Sequence, residues 1–154
     1  MVIQRIVIPS FSVIGKEGST ADGPGFVQRL WAEANAHFDE VAILAKRDEN
    51  GVPLGFWGAM TDCARAFMPW EEDFSRGLYL AGVECVEDAA APEGWVRWNI
   101  PGFEYLRAEC GSPALFADML GYLREQGLEL AGAVQDFTDP KTGTNYMLFP
   151  IRRL

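Results

Sequence analysis

The chain has 154 residues, 49% of them hydrophobic and 23% charged, which fits one folded domain with a sizeable core and excludes a disordered polymer. Its formal net charge is −9 and Lys and Arg form no cluster, so direct nucleic-acid binding, which needs a cationic footprint, is not expected. No apolar run approaches the ~20 residues that cross a bilayer, and MVIQRIVIPSF lacks the apolar core and cleavage site of a signal peptide.

Residues 4–16 read as extended and β-branched, with Pro9 marking a bulge or an edge position. The turn-rich GSTADGPG follows, and Pro24 suits the first position of a helix predicted over about 24–38 from the spacing of Val27, Leu30, Trp31, Ala34 and Phe38. A turn at 47–53 leads to strands at 54–62 and 77–86, separated by the long loop ARAFMPWEEDFSR. After DAAAPEG the order recurs. Residues 95–110 are extended and broken at Pro101-Gly102; Ser112-Pro113 opens a helix with the stripe Leu115, Phe116, Met119, Leu120 and Leu123, which stops at Gly127. Strands at 128–137 and 146–153 complete the chain.

Two halves, about 1–87 and 95–154, therefore share one order of strand, helix, strand, strand within a single domain. IGKEGS resembles LRAECGS, and LGFWGAMTD resembles LAGAVQDFTD. The expected architecture is α+β: a tandem duplicated unit, antiparallel sheets with two helices on one face, and a central ligand cleft where the other sheet faces meet around a pseudo-twofold axis.

Cys63, Cys85 and Cys110 have no paired spacing, which reads as reduced thiols in a cytoplasmic protein. With His37 as its one histidine, and that on a helix beside Asp39 and Glu40, the chain is expected to hold no metal and no cofactor. Phosphate-cradling and nucleophile-elbow motifs are missing.

Glu84, in YLAGVEC, is the first candidate for chemistry. Leu78, Leu80 and Gly82 share its strand face, Tyr79, Ala81, Val83 and Cys85 form the other, and neither is an ordinary solvent face. A carboxylate there is paired, hydrogen-bonded or lining a cavity. The structural alternative is a strand-end acid bonded to an arginine or a tyrosine. Among the aromatic residues, Trp57, Tyr79, Trp98, Tyr105 and Tyr146 stand on strands that border the expected cleft, and rings around a carboxylate suit a flat or cationic organic molecule. Glu104 is a second candidate acid. PWEEDFS (69–75) reads as a lid or as a solvated loop.

The segments LYLAGVEC, APEGWVRWNIPGFEYLRAEC and NYMLFPIRR together resemble the gyrase-inhibitor-like family, the effector-binding domain of bacterial multidrug-responsive transcription regulators. The resemblance runs over essentially the whole chain and implies a tandem strand-helix-strand-strand fold with a cleft for hydrophobic, often cationic compounds. Nothing is left over for a helix-turn-helix unit, so a standalone module is expected. In many members an acid stands four positions before the proline of the final strand; Tyr146 occupies that position here, which leaves Glu84 as the principal acid. The resemblance also implies alternatives. One is a hydrolase of reactive drug-like compounds, with Glu84 as general base and Tyr105 or Tyr146 donating to an oxyanion. The other is a module that binds gyrase or a separately encoded regulator. The sequence leaves open whether a second copy is a partner.

Overall fold

A computed structural model describes residues 1–154. Strands β1 (Ile3–Ile8), β2 (Phe11–Ser19), β3 (Phe56–Thr61), β4 (Leu78–Cys85), β5 (Val96–Ile100), β6 (Phe103–Glu109), β7 (Gln135–Thr138) and β8 (Asn145–Arg153) form one antiparallel sheet. The strand order is β1-β6-β8-β7-β3-β4-β2-β5. Helix α1 (Phe26–Ala36), the single turn α2 (Glu71–Phe74) and helix α3 (Leu115–Glu125) are accompanied by three short 3-10 turns at Thr20–Asp22, Phe38–Glu40 and Ala42–Leu44. Exchanging the first four strands with the last four turns the order into itself read backwards, so a pseudo-twofold axis passes between β3 and β7. The α+β architecture with two matching halves is as expected.

One feature of the sheet differs from expectation. Residues 4–16 are two strands, not one. β1 ends before Pro9 and β2 begins after Ser10, yet six strand spacings separate β1 from β2 in the sheet. The same holds for β5 and β6 across Pro101-Gly102. Six spacings in a flat sheet would cover about 29 Å, whereas a two-residue link reaches about 10 Å. The sheet must therefore curl until its ends approach. The two links meet: a Cβ on Gly102 would lie 3.1 Å from Ser10 N and 3.3 Å from Pro9 Cα. In letters they form a repeat, Ile8-Pro9-Ser10-Phe11 and Ile100-Pro101-Gly102-Phe103. Proline ends each strand because it cannot continue the ladder.

Curling brings the helix-free faces of the half-sheets together, as the sequence suggests, but side chains fill the space between them. Val13, Leu80, Trp98, Ile100, Phe103 and Tyr105 belong to this inner cluster, and Ile100 and Tyr105 are fully buried. On the outer face α1 packs over β2 and β4, joining Ile14, Ala81 and Val83 to Phe26 and Leu30. Helix α3 covers β6 and β8, joining Leu106, Ala108 and Phe149 to Leu115, Met119 and Leu123.

Other boundaries shift for local reasons. Helix α1 starts after Gly25, whose φ of +79° no helix accommodates, so Pro24 precedes the helix. Gly127 (φ +67°) closes α3 as expected, with the Leu128 amide reaching back to the Leu123 carbonyl at 2.9 Å. The predicted strand at 128–137 shortens to β7, because the Ala131 and Ala133 amides bond to Pro150 and Phe67 instead of a neighbouring ladder. No helix is long and apolar enough to cross a membrane.

Candidate ligand-binding groove

With α1 seated over β2/β4 and α3 over β6/β8, the outer face of β3 and β7 at the pseudo-axis lies uncovered between the helices. This strip is the floor of a groove. Gly58 and Met60 of β3 project onto it, as do Asp136 of β7 and Met147 of β8, by register: Gly58 opposes Asp136, and Asp136 opposes Met147. Tyr79 of β4, opposite Met60, reaches in from the side.

A cavity of about 320 Å³ holds Trp31, Gly58, Tyr79, Cys110, Asp136 and Tyr146 among its lining residues. Three polar groups form a chain across it. Trp31 Nε1 donates to the Tyr79 hydroxyl at 2.9 Å, and that hydroxyl donates to Asp136 Oδ2 at 3.5 Å. Gly58 makes this possible, since a Cβ there would lie 2.0 Å from the Tyr79 hydroxyl. No lysine or arginine pairs with Asp136. Burial pushes its carboxyl up to about 6, with the Tyr79 hydrogen bond opposing. Burial and the neighbouring Asp136 charge push the Tyr79 phenol up, and the same two causes, in that order, raise the Cys110 thiol.

Next to it on the same floor is a second cavity of about 230 Å³ lined by Met60, Pro69, Trp70, Phe74, Phe116, Ala133, Val134 and Met147. Its roof comes from α2 and the preceding loop. Phe74 packs edge-on against Phe116 of α3 at 5.1 Å, and Trp70 Nε1 donates to the Leu78 carbonyl at 3.0 Å. Glu72, Asp73 and Phe74 all adopt left-handed backbone (φ 51°, 58° and 62°). That turn faces Phe74 inward while Glu72 and Asp73 stay exposed. PWEEDFS thus has an apolar underside over the groove and a solvated acidic outside.

The candidate residues divide into three places. Tyr79 reaches into the groove, whereas Tyr146 borders it only at the strand: register sets its ring beside Phe137 and Trp57 on the inner face, 4.6 Å beneath the Arg107 guanidinium. Trp57, Trp98 and Tyr105 belong to the inner cluster. Trp57 stacks between Phe11 and Phe137 at 4.6 and 4.7 Å, and Trp98 Nε1 donates to Glu17 at 2.7 Å. Glu17 is itself held by Arg65 through contacts of 2.8 and 2.7 Å, which keep its carboxyl below the usual range. The Tyr105 hydroxyl is buried without a hydrogen-bond partner. Glu84 lies on the helix-free face, half-buried, and accepts from Trp57 Nε1 at 3.2 Å. It borders a polar depression of about 220 Å³ with Ser12, Lys46, Arg97 and Asn99. Burial raises its carboxyl, opposed first by the Trp57 bond and then by the Lys46 charge. Glu104 stands apart in a surface ion pair with Arg152 (3.2 Å) and Arg5 (3.8 Å). Of these residues, the structure bonds Trp57 alone to Glu84.

Asp136, Trp31, Met60 and Met147 carry the groove and were not among the candidates. A signal for Asp136 exists: it is an acid near the end of LAGAVQDF, a run whose one other polar side chain is Gln135, much as Glu84 stands near the end of YLAGVEC.

No protein-family model matches the sequence, and no curated protein does. Solved structures match it in fold. The chain is similar to SAV2435 bound to tetraphenylphosphonium, with a TM-score of 0.66 and 14% identity over 99% of this chain and 94% of that one. It is similar to the C-terminal domain of EcmrR, with a TM-score of 0.60 and 14% identity over the whole of both chains. A hydrolase from Listeria innocua aligns with a TM-score of 0.51 and 14% identity over 97% of this chain and 90% of that one. These likenesses define the class as a curled α+β sheet of two pseudo-symmetric halves with a helix on each. The fold is the gyrase-inhibitor-like fold that the sequence resemblance implied.

Proposed function

We propose that this protein binds a small hydrophobic organic cation in the groove between α1 and α3, with Asp136 as the counter-charge. One observation carries the reading: a carboxylate with no cationic partner, beside Trp31 and Tyr79 in a cavity that can admit a ligand. An unpaired buried charge is costly, and an incoming cation relieves that cost while ring faces add cation–π attraction. The neighbour bound to tetraphenylphosphonium and the regulator domain of EcmrR support small-molecule binding by analogy of fold. Glu84 is the rival acid. It has an indole donor and a nearby ammonium, so its charge is already partly balanced.

Calorimetry with tetraphenylphosphonium tests the reading. Binding that is lost in Asp136→Asn and kept in Glu84→Gln supports it; the reverse assigns the site to Glu84.

A second reading is hydrolysis of a reactive bound compound. It is favoured by Asp136, raised to about 6 and held by the Tyr79 hydroxyl at the cavity wall, the placement that a general base requires. Turnover of an electrophilic aromatic substrate, lost in Asp136→Asn and Tyr79→Phe, separates catalysis from binding.

A further inference from the structure

We infer that the groove is built for an amphiphilic cation with one charged head and one apolar tail, rather than for a compact cation alone; this rests on the proposed role of Asp136. The two cavities are consecutive along the same floor. On β3 the step is from Gly58, in the first cavity, to Met60, in the second. It is a single same-face step, about 6.6 Å. Met147 borders both cavities and is the partition between them. As an unbranched thioether side chain, Met147 swings aside at little cost.

The chemistry of the two chambers is unlike. The Asp136 chamber has a carboxylate, a phenol, an indole N–H and a thiol. The second has no charged side chain, and its one polar donor, Trp70 Nε1, is already committed to the Leu78 carbonyl. Desolvating a charge in the second chamber has nothing to offset it, whereas apolar surface gains by entering. A head at Asp136 with a hydrocarbon tail passing Met147 satisfies both chambers at once. A cation of one compact body satisfies only the first.

The test is a homologous series of tetramethyl-, butyltrimethyl-, hexyltrimethyl- and octyltrimethylammonium, all held below micelle formation, with Kd measured by calorimetry. Affinity is expected to rise about fourfold per methylene while the tail fills the second chamber, then to level off. Two variants fill that chamber from different walls. Ala133→Phe does so from its buried floor, and Phe116→Trp from the half-exposed helix α3, where folding is least at risk. Both should flatten the rise and leave the Kd of tetramethylammonium unchanged. Asp136→Asn should weaken every member by one common factor and keep the slope. Equal affinity along the series, with tetramethylammonium still bound, overturns the two-chamber inference and leaves the Asp136 site standing. A slope that survives both filling variants overturns it too. No binding by any member, tetraphenylphosphonium included, removes the Asp136 reading itself.

Discussion

Asp136 and Glu84 are both acids in apolar strands, and burial raises both, yet their surroundings are opposite. Glu84 faces away from the helices, accepts an indole hydrogen bond and has the Lys46 ammonium and Arg97 guanidinium bordering the same depression. Asp136 faces the helix side, has one long bond from a neutral phenol, and meets a cavity lined with rings. The difference teaches that an acid in an apolar strand is not by itself a cation site. On the proposed reading, what makes one is the lack of a counter-charge combined with space beside the carboxylate.

The largest expected effect is on binding. Asp136→Asn should weaken an organic cation by about 2–5 kcal/mol, the usual cost of truncating one partner of a buried charge pair. Titration calorimetry at neutral pH reads it directly. The same substitution should stabilise the ligand-free protein. The Asp136 carboxyl stands near 6 when folded against an ordinary 3.8, so the folded state favours the protonated form. Stability from this group is complete below pH 4, falls as pH rises through about 6, and is flat above; the total is about 3 kcal/mol. Chemical denaturation of the wild type and Asp136→Asn at pH 4 and pH 8 should show that gap only at the higher pH.

Cation affinity should follow the same titration with the opposite sense. It should climb about tenfold per pH unit up to about 6 and then level, since the ligand binds the ionised form. Affinity that is flat between pH 4.5 and 7 would move the counter-charge away from Asp136.

Gly58→Ala tests how the groove is assembled. The added Cβ would overlap the Tyr79 hydroxyl and ring, so Tyr79 must move and the Trp31–Tyr79–Asp136 chain must break. A loss of about 1–3 kcal/mol in stability is expected from such overpacking, together with a change in indole fluorescence. The smallest effect belongs to Glu84→Gln, whose affinity for the cation should stay within about twofold of the wild type, as for a substitution outside the site. If Glu84→Gln abolishes binding, the comparison between the two acids is reversed.

Much of the fold could be read along the chain. The helix stripes, the glycine stop at 127 and the paired order of elements all depend on neighbours within a few turns. The α3 stripe, for instance, is an i, i+4 pattern that packs wherever an apolar sheet is offered. Tyr79, which lines the groove, was legible because it stands on an inner strand of the sheet. Trp57 and Tyr146 stand on inner strands too, but alternation turns them to the inner face, together with Trp98 of the edge strand β5 and Tyr105 of β6, and there the curl of the sheet buries Trp57, Trp98 and Tyr105. Glu104 ends in ion pairs with Arg5, on β1, and Arg152, which only the β1–β6–β8 pairing brings near.

By itself the sequence determined the elements, their twofold order and the presence of acids inside apolar strands, because local periodicity and turn chemistry specify those. Only the tertiary structure decided which face of the sheet is open. Two proline-bearing links join strands six places apart, so the sheet closes on its helix-free side and fills with aromatic rings. The vacant surface is left on the other side, between α1 and α3, and strand register puts Asp136 rather than Glu84 upon it. Register and curvature are sums over contacts far apart in the chain, and no window of residues contains them.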